Sequence, residues 1–327
     1  MITLTRFLLD TYAPLRQLSG RTIAIYQNTL DRLADHLGRD PTLDDLTDVG
    51  IARFLTWRLE TPHRGKLPRR TTVAKDRTQL LALASLAFRK RLIPEDVTLP
   101  PFRAAGRLPR GYMLEDIETL VAAGAAARGT IGGLPAGWWW QTLLTWCWES
   151  GARIGETLAL RWDCVDLADR RVLLVAETRK LKTRDIERRI SPELTQLLSQ
   201  HARDDHAIVW PWDRGHTYLW KCLQRLCKKS GVTPRGFHGL RKAAASYYAQ
   251  AGGNPVDLLD HSDGGALYQK HYRDSRIATG GPAPVDVLPR LNVSSRTRAD
   301  TLHSQPGQSE CQASASGLDA EPPCREP

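Results

Sequence analysis

Apolar residues recur at helical spacing through the first hundred residues of the chain. One stripe steps by three and four along residues 23–37, which puts its members on one face of a helix. Shorter stripes predict a helix around residues 51–55 and another over residues 72–91. The stripe residues are Ile23, Tyr26, Leu30, Leu33 and Leu37, then Ile51, Phe54 and Leu55, then Val73, Leu80, Leu83 and Ala87. Residues 1–103 are therefore predicted to form a compact bundle of short helices.

Proline is concentrated between residues 92 and 110, where it interrupts helices and favours an extended chain. Arginine is frequent in the same stretch. The residues concerned are Pro94, Pro100, Pro101 and Pro109, with Arg103, Arg107 and Arg110. This composition predicts a cationic linker between two globular regions.

The pattern after the linker alternates between helical and strand periods. Helices are predicted over residues 114–127, 138–150, 216–229 and 238–251 and from Pro192 onward, and strands over residues 171–175 and about 186–190. Residues 104–282 are thus predicted to be a mainly helical α+β domain with a small antiparallel sheet. Residues 283–327 are rich in Ser, Thr, Pro, Gln and Gly, and we expect a disordered tail there.

Five tryptophans lie between residues 138 and 148, within one apolar helical run. They are Trp138, Trp139, Trp140, Trp146 and Trp148. Tryptophan can stack on nucleic acid bases, but inside an apolar helix it more commonly packs in the core. We therefore expect these side chains to be buried.

The chain of 327 residues carries a net charge of +10. The charge divides into +6 over residues 1–103, +6 over residues 104–282 and −2 over the remainder. A cationic surface favours an anionic partner, of which nucleic acid is the commonest. The even division between the two predicted domains argues against a single basic arm.

Three patterns in the sequence exclude whole classes of protein. No stretch approaches the ~18–20 apolar residues of a membrane span, and the N-terminal residues lack the features of a signal peptide. The six cysteines form no CxxC and stand at no zinc-ligand spacing from a histidine pair. We expect reduced thiols in a cytoplasmic protein without a membrane partner, which excludes disulfide scaffolds and zinc fingers.

Four short segments of the second predicted domain carry candidate chemistry. Arg153 lies in GARIGE just after an apolar helix, where a guanidinium can bind a phosphate with two hydrogen bonds. His238 and Arg241 lie in FHGLR, three residues apart at the start of a helix, which is a favourable site for an anion. The other two segments are LDHSD around His261 and HYRD around Tyr272. Each segment alone is explained by ordinary capping or packing.

Taken together, in this order and spacing, the segments resemble the signature of the tyrosine recombinase (phage integrase) family. That signature has an Arg in G-x-R-x-x-E, a Lys on a β-hairpin, H-x-L-R, G-H and then a Tyr. The resemblance covers roughly residues 10–280 and is specific in the catalytic half. It implies an N-terminal helical core-binding (SAM-like) bundle followed by a tyrosine-recombinase catalytic domain. The implied function is site-specific DNA recombination, including DNA integration by mobile elements.

The resemblance implies a role for each matching residue. Arg153 and Arg241 would clamp the scissile phosphate and neutralise charge in the transition state. Tyr272 would be the nucleophile, forming a 3′-phosphotyrosyl link and freeing a 5′-hydroxyl. His238 would assist proton transfer at the tyrosine, and His261 would donate a hydrogen bond to a phosphate oxygen. Since the enzyme link retains the phosphodiester energy, no metal and no nucleotide cofactor is implied.

Two further roles come with the resemblance. Glu156 would brace the arginines and His238. A hairpin lysine would protonate the leaving 5′ oxygen, and Lys182 is preferred because its Lys-Thr start and the later Arg188 fit the hairpin better. Lys180 lies two residues earlier on the same strand face, so strand alternation leaves it open as the alternative lysine.

The sequence departs from the family pattern around His261. Asp260 occupies the preceding position, where glycine is usual, and so adds a carboxylate near the predicted phosphate site. Tyr272 follows His261 by eleven residues, slightly more than usual, and Gly264-Gly265 can absorb the difference. Tyr268 is the alternative nucleophile, although its flanking residues do not match.

The implied partner is double-stranded DNA, with a homotetramer assembled on paired sites. We expect the protein to be associated with the nucleoid. Two other functions stay open: a type IB topoisomerase-like enzyme that relaxes DNA by the same chemistry, and a catalytically inactive DNA-binding relative. Asp260 and the longer spacing to Tyr272 are the features that favour the inactive relative.

Overall fold

A computed structural model describes residues 2–102, 106–179, 184–203, 205–261 and 264–278. Both candidate lysines, Lys180 and Lys182, and the predicted tail over residues 283–327 lie outside these ranges. Of the helices within them, none has both the length and the apolar character needed to cross a bilayer.

The N-terminal part of the chain is helical, as its apolar stripes predict. Its helices are α1 (Leu4–Phe7), α2 (Gly20–Leu37), α3 (Asp48–Glu60) and α4 (Arg70–Arg89), and α1 continues through a π-helical turn (Leu8–Tyr12) into a short segment (Ala13–Leu15). Ser19 caps α2 by accepting the backbone N–H of Thr22, and Gly38 ends it in the left-handed region. Leu30 of α2 and Leu80 of α4 belong to one hydrophobic cluster, so the predicted stripes do face a shared core.

The rest of the described chain combines helices with two small antiparallel sheets. The helices are α5 (Leu114–Ala125), α6 (Ala136–Ser150), α7 (Ile154–Leu158), α8 (Pro192–Ser199), α9 (His216–Lys229), α10 (Phe237–Gln250) and α11 (Pro255–Leu259), followed by a π-helical turn (Tyr268–Tyr272). The strands are β1 (Thr130–Ile131), β2 (Leu134–Pro135), β3 (Val165–Asp166), β4 (Arg171–Leu174) and β5 (Ile186–Arg189). β1 pairs with β2, and the larger sheet has the order β3-β4-β5.

The mainly helical α+β class predicted from the sequence is confirmed. The long helices and the β4–β5 pair lie within a few residues of their predicted positions, and Val172 opposite Arg188 sets the register of that pair. The sequence did not predict β1, β2 and β3. Each of these strands has only two residues, which is too short for an alternating pattern to develop.

Tryptophans of α6 form the centre of the second hydrophobic core, as expected. Trp139 and Trp146 are fully buried, whereas Trp148 is only half-buried. The indole N–H of Trp146 donates to Oγ1 of Thr157 at 3.1 Å. Because Thr157 belongs to α7, this hydrogen bond fixes α7 against α6 and so sets the position of the residue that precedes α7, Arg153.

Candidate active site

Arg153 is placed by the turn between α6 and α7. Gly151 ends α6 with a φ of 59°, and Arg153 then adopts an extended conformation as the residue before α7. The backbone N–H of Arg153 donates to Oε2 of Glu156 at 3.0 Å, and its Nη1 donates to Oε1 at 2.9 Å. The spacing of the arginine and the glutamate is therefore that of a helix N-terminal capping pair. The buried carboxylate of Glu156 also holds the guanidinium in place.

His238 and Arg241 lie in the first turns of α10, with Gly239 between them. A Cβ added at Gly239 would lie 2.8 Å from Cε2 of Tyr112 and 2.6 Å from Cβ of Arg235. Glycine therefore allows the start of α10 to pack closely against Tyr112. The three-residue spacing puts the imidazole of His238 and the guanidinium of Arg241 on the same side of the helix.

The guanidinium of Arg241 is buried and connects the ends of two other helices. Nη1 donates to the carbonyl of Gly151, where α6 ends, and Nη2 donates to the carbonyl of Leu259 at 2.8 Å, where α11 ends. Within the described residues its Nε–H has no hydrogen-bond partner. Burial, followed by the charge of Arg153, lowers the pKa of Arg241 to about 10. Arg241 is still a cation at neutral pH.

The side chain of Tyr272 meets three of the predicted site residues. Its ring centroid lies 5.0 Å from the ring of His238 and 5.1 Å from the ring of His261. Cζ of Arg241 lies 5.5 Å from the same centroid. The fold thus brings together four residues that are up to 34 positions apart in the sequence. Arg153 is close enough for its charge to lower the pKa of both His238 and Arg241.

Tyr268 has a different environment from Tyr272, although both lie on the same π-helical turn. Both tyrosines belong to a small hydrophobic cluster with Ala245 and Leu259, and burial raises the pKa of the Tyr268 phenol. A raised pKa makes the phenolate harder to form. The ring contacts with His238 and His261 are made by Tyr272. The arrangement therefore favours Tyr272 over Tyr268 as the nucleophile.

The imidazole of His238 is held in its neutral form. Removal of water from around the ring, followed by the charges of Lys242 and Arg241, lowers the pKa of His238 to about 4. Part of the side chain remains open to solvent, so a ligand can reach it. A neutral imidazole beside a phenol can accept the phenolic proton.

Asp260 is paired with two arginines that the sequence analysis did not assign to the site. Nη2 of Arg179 donates to Oδ2 of Asp260 at 2.5 Å, and Nη2 of Arg184 donates to Oδ1 at 2.9 Å. Arg179 is buried, and its Nε lies 3.9 Å from Oε1 of Glu156. These arginines flank the segment that contains both candidate lysines, so each side of that segment is tied to the residue preceding His261. The only sequence signal for these two arginines was that residues 179–184, Arg-Lys-Leu-Lys-Thr-Arg, form a basic run.

The backbone of Asp260 explains why a glycine is usual at its position. Asp260 ends α11 with a φ of 48°, in the left-handed region that favours glycine and that aspartate tolerates better than most residues. The carboxylate is only 7% exposed and is neutralised by its arginine partners. The departure from the family pattern therefore adds an ion-pair network beside the site.

Asp260→Asn is expected to lower the free energy of unfolding by about 3 kcal/mol, because it leaves Arg179 buried without its main counter-charge. Asparagine keeps the left-handed backbone, so the loss reports the ion pair. Arg184→Gln is the matched control, because that side chain is 77% exposed and its pair contributes less than about 1 kcal/mol. Urea unfolding measures both variants. Equal losses would contradict the assignment of the buried pair to Arg179.

Residues 115–277 match the profile of the phage integrase family. These residues form a phage integrase domain. Within the described parts of the integrase domain and of the remaining chain, there is no cluster of three side chains suited to hold a metal ion. A search of the curated proteins found no match to this chain.

Solved structures share the fold at low sequence identity. A Tn1549 transposon integrase in complex with transposon right end DNA has a TM-score of 0.65 at 13% identity, covering 84% of this chain and 96% of that one. A lambda integrase dimer bound to a core site has a TM-score of 0.60 at 18% identity, covering 89% of this chain and 81% of that one. A lambda integrase tetramer bound to a Holliday junction has a TM-score of 0.61 at 17% identity, covering 86% and 79%. These similarities establish the fold.

Proposed function

We propose that this protein is a site-specific DNA recombinase that cuts and rejoins DNA through a 3′-phosphotyrosine intermediate. The observation that carries the proposal is the meeting of Tyr272 with Arg241, His238 and His261. This set combines a nucleophile, a buried cation and a neutral base, which are the groups that phosphoryl transfer to a tyrosine requires. Membership of residues 115–277 in the phage integrase family supports the same reaction.

In the proposed cleavage step, the phenolic oxygen of Tyr272 attacks a DNA phosphorus, and the bond from phosphorus to the 5′ oxygen breaks. Neutral His238 accepts the phenolic proton. The leaving 5′ oxygen takes a proton from the hairpin lysine, for which we propose Lys182 with Lys180 as the alternative. Attack by a 5′-hydroxyl on the phosphotyrosine reverses these transfers and rejoins the strand.

The charged groups would lower the barrier by stabilising the phosphate during transfer. A free phenol has a pKa near ~10, so its ionisation benefits from nearby positive charge. The guanidinium groups of Arg241 and Arg153 supply that charge and would also neutralise the transferring phosphate. The imidazole of His261 would donate to a phosphate oxygen, while Glu156 holds Arg153. No step in this scheme uses a metal or a nucleotide cofactor.

We also propose duplex DNA as the partner and a homotetramer on paired sites as the working assembly. The net charge of +10 supports an anionic partner, and the similar lambda and Tn1549 integrase structures are DNA complexes.

Residues 1–103 and 104–282 are proposed as two DNA-contacting domains, because buried apolar residues up to Ile93 and from Tyr112 onward form separate clusters. A cytoplasmic, nucleoid-associated location would follow from this function.

Covalent trapping tests the proposed function. The probe is a set of duplexes from the DNA that flanks the gene, each with a single nick, so that cleavage near the nick releases a short strand and prevents rejoining. Wild-type protein is expected to give an SDS-resistant adduct in the presence of EDTA, with the phosphate mapped to one tyrosine by mass spectrometry. If no duplex in the set gives an adduct, the protein is the inactive DNA-binding relative.

A second measurement separates recombination from DNA relaxation. Two intact duplexes that contain the trapped sequence are expected to form joint molecules when incubated with wild-type protein. Relaxation of a supercoiled plasmid without any joint molecules would instead identify a type IB topoisomerase-like enzyme. Both activities require the same covalent adduct, so the trapping experiment alone does not distinguish them and this second measurement is needed.

The pH dependence of cleavage follows from the neutral state of His238. Because its pKa is lowered to about 4, the imidazole is already a proton acceptor throughout the range from pH 6 to 8. The second-order rate of adduct formation, measured with subsaturating nicked duplex, is therefore expected to show no decline from this group around pH 6.5 and to decline only as the pH approaches 4. His238→Gln should be slower at every pH. A wild-type decline centred on pH 6.5 that His238→Gln lacks would contradict the assignment.

A further inference from the structure

A buried carboxylate lies two residues after Tyr272 and has no part in the proposed chemistry. The side chain of Asp274 is 0% exposed. Oδ2 of Asp274 accepts a hydrogen bond from the backbone N–H of Gly111 at 2.9 Å. Both carboxylate oxygens accept hydrogen bonds from Nε of Arg276, at 3.0 and 3.2 Å. Nη2 of Arg276 lies 2.6 Å from Oδ2, and Nη1 of Arg110 lies 3.4 Å from Oδ1. Burial opposes the ionised form, but these donors outweigh it and hold the pKa of Asp274 below its usual range.

The backbone around Asp274 is also fixed to α10, the helix that carries His238 and Arg241. The N–H of Asp274 donates to Oγ of Ser246 at 2.9 Å. The hydroxyl of Ser246 in turn donates to the carbonyl of Tyr272 at 3.3 Å. One serine of α10 therefore binds the chain on both sides of residue 273. These two hydrogen bonds set the position of the Tyr272 ring relative to His238 and Arg241.

Gly111, which binds the carboxylate of Asp274, directly follows the predicted linker. The chain at this end of the linker is also held closely. A Cβ added at Gly111 would lie 2.8 Å from the backbone nitrogen of Ala243, so the segment packs directly on the backbone of α10. Nη2 of Arg276 donates to the carbonyl of Gly111 at 3.0 Å. Asp274 thus joins the segment that carries Tyr272 to the linker end and, through that end, to α10 a second time.

We propose that Asp274 is a positioning residue for the nucleophile: its buried carboxylate, bound to Gly111 and Arg276, holds the Tyr272 oxygen in line with the phosphate. The inference rests on the proposed function of Tyr272. Transfer to phosphorus requires the attacking oxygen to be close and aligned, and a displacement of about 1 Å can slow such a step about 100-fold. Asp274 itself touches no reacting atom in this scheme.

The experiment compares Asp274→Asn with a matched control, Asp163→Asn. Asp163 also accepts two hydrogen bonds from an arginine, Arg161, but it lies near the surface, away from the Tyr272 contacts. Single-turnover trapping on the nicked duplex gives two quantities, the rate of adduct formation and its final yield. We expect Asp274→Asn to lower the rate about 100-fold with a full final yield and unchanged affinity for the duplex, and Asp163→Asn to behave as wild type.

Rate and yield distinguish positioning from a loss of folded protein. A purely structural role would lower the final yield and leave the rate of the remaining folded molecules unchanged, which would overturn the proposal. A wild-type rate for Asp274→Asn would overturn it as well. If the wild type itself forms no adduct, the proposed function fails instead, and that result is separate from either outcome for the variant.

A better leaving group provides a further discriminating readout. A duplex with sulfur in place of the bridging 5′ oxygen needs no proton on the leaving atom, so it restores variants that lack the general acid. The Asp274→Asn defect is expected to persist on this duplex, because the attacking oxygen is still misplaced. Restoration would contradict the proposal. If Asp274→Asn does not fold, Ser246→Ala and Arg276→Gln remove neighbouring contacts of the same network and are judged by the same rate, yield and sulfur criteria.

Discussion

Tyr272→Phe is expected to abolish the covalent adduct on the nicked duplex, whereas Tyr268→Phe should form it at close to the wild-type rate. Phenylalanine lacks the oxygen that attacks phosphorus, so no phosphoprotein link is possible through residue 272. Its ring still fills the space beside His238 and Arg241, so affinity for the duplex should change little. Gel analysis under denaturing conditions measures the adduct, and binding of intact duplex measures affinity.

The environment of each tyrosine explains why the two variants should differ. The rings of His238 and His261 contact Tyr272, whereas burial raises the pKa of the Tyr268 phenol. Tyr268→Phe removes a buried hydroxyl that makes no hydrogen bond within the described residues, so it is expected neither to lower stability nor to slow cleavage. An adduct from Tyr272→Phe that disappears in Tyr268→Phe would reverse the assignment. It would also mean that the π-helical turn rearranges when DNA binds.

Local patterns predicted those parts of the fold and site that depend on short-range interactions. The stripe of α2 and the alternation of β4 determine which face is buried, so their bounds were predicted within a few residues. The spacing of Arg153 and Glu156 matched the family pattern, and the structure shows it to be a capping pair within four residues of chain. The effect of Asp260 on the site could not be predicted from the sequence, and the structure shows that its carboxylate is neutralised by Arg179 and Arg184.

Contacts between residues distant in sequence are what local patterns do not reveal. Arg179 meets Asp260 across 81 positions, and Asp274 meets Gly111 across 163. No local periodicity relates the members of such pairs, since each is brought to the other by the packing of separate helices. From the sequence alone, a basic run or an aspartate after a tyrosine is expected to lie at the solvated surface, because the residue that pairs with it is known only from the fold. The residues that support the candidate site are therefore less predictable than those that match its signature.

Arg241→Lys is expected to slow adduct formation about 100-fold or more, although it keeps the positive charge. The guanidinium of Arg241 donates through Nη1 and Nη2 to the carbonyls of Gly151 and Leu259, and its Nε–H has no partner within the described residues. That geometry leaves donors for a phosphate oxygen while the group stays fixed by the ends of α6 and α11. A lysine ammonium cannot hold two helix ends and face the phosphate at once. Loss of one such oxyanion donor typically lowers the rate by roughly 10²–10³-fold, which corresponds to a loss of about 3–4 kcal/mol of transition-state stabilisation.

Arg188→Lys is the control that separates this chemistry from the loss of a helix-end contact. Arg188 is also largely buried, and its Nη2 donates to the carbonyls of Asp257 at 3.1 Å and Leu258 at 2.9 Å, next to the carbonyl that Arg241 binds. Both variants remove guanidinium contacts to the end of α11, so both should lower stability to unfolding by similar amounts. Only Arg241 lies over the Tyr272 ring. Equal rate losses in the two variants would assign the effect to the helix end, whereas a selective loss in Arg241→Lys places the buried guanidinium at the transferring phosphate.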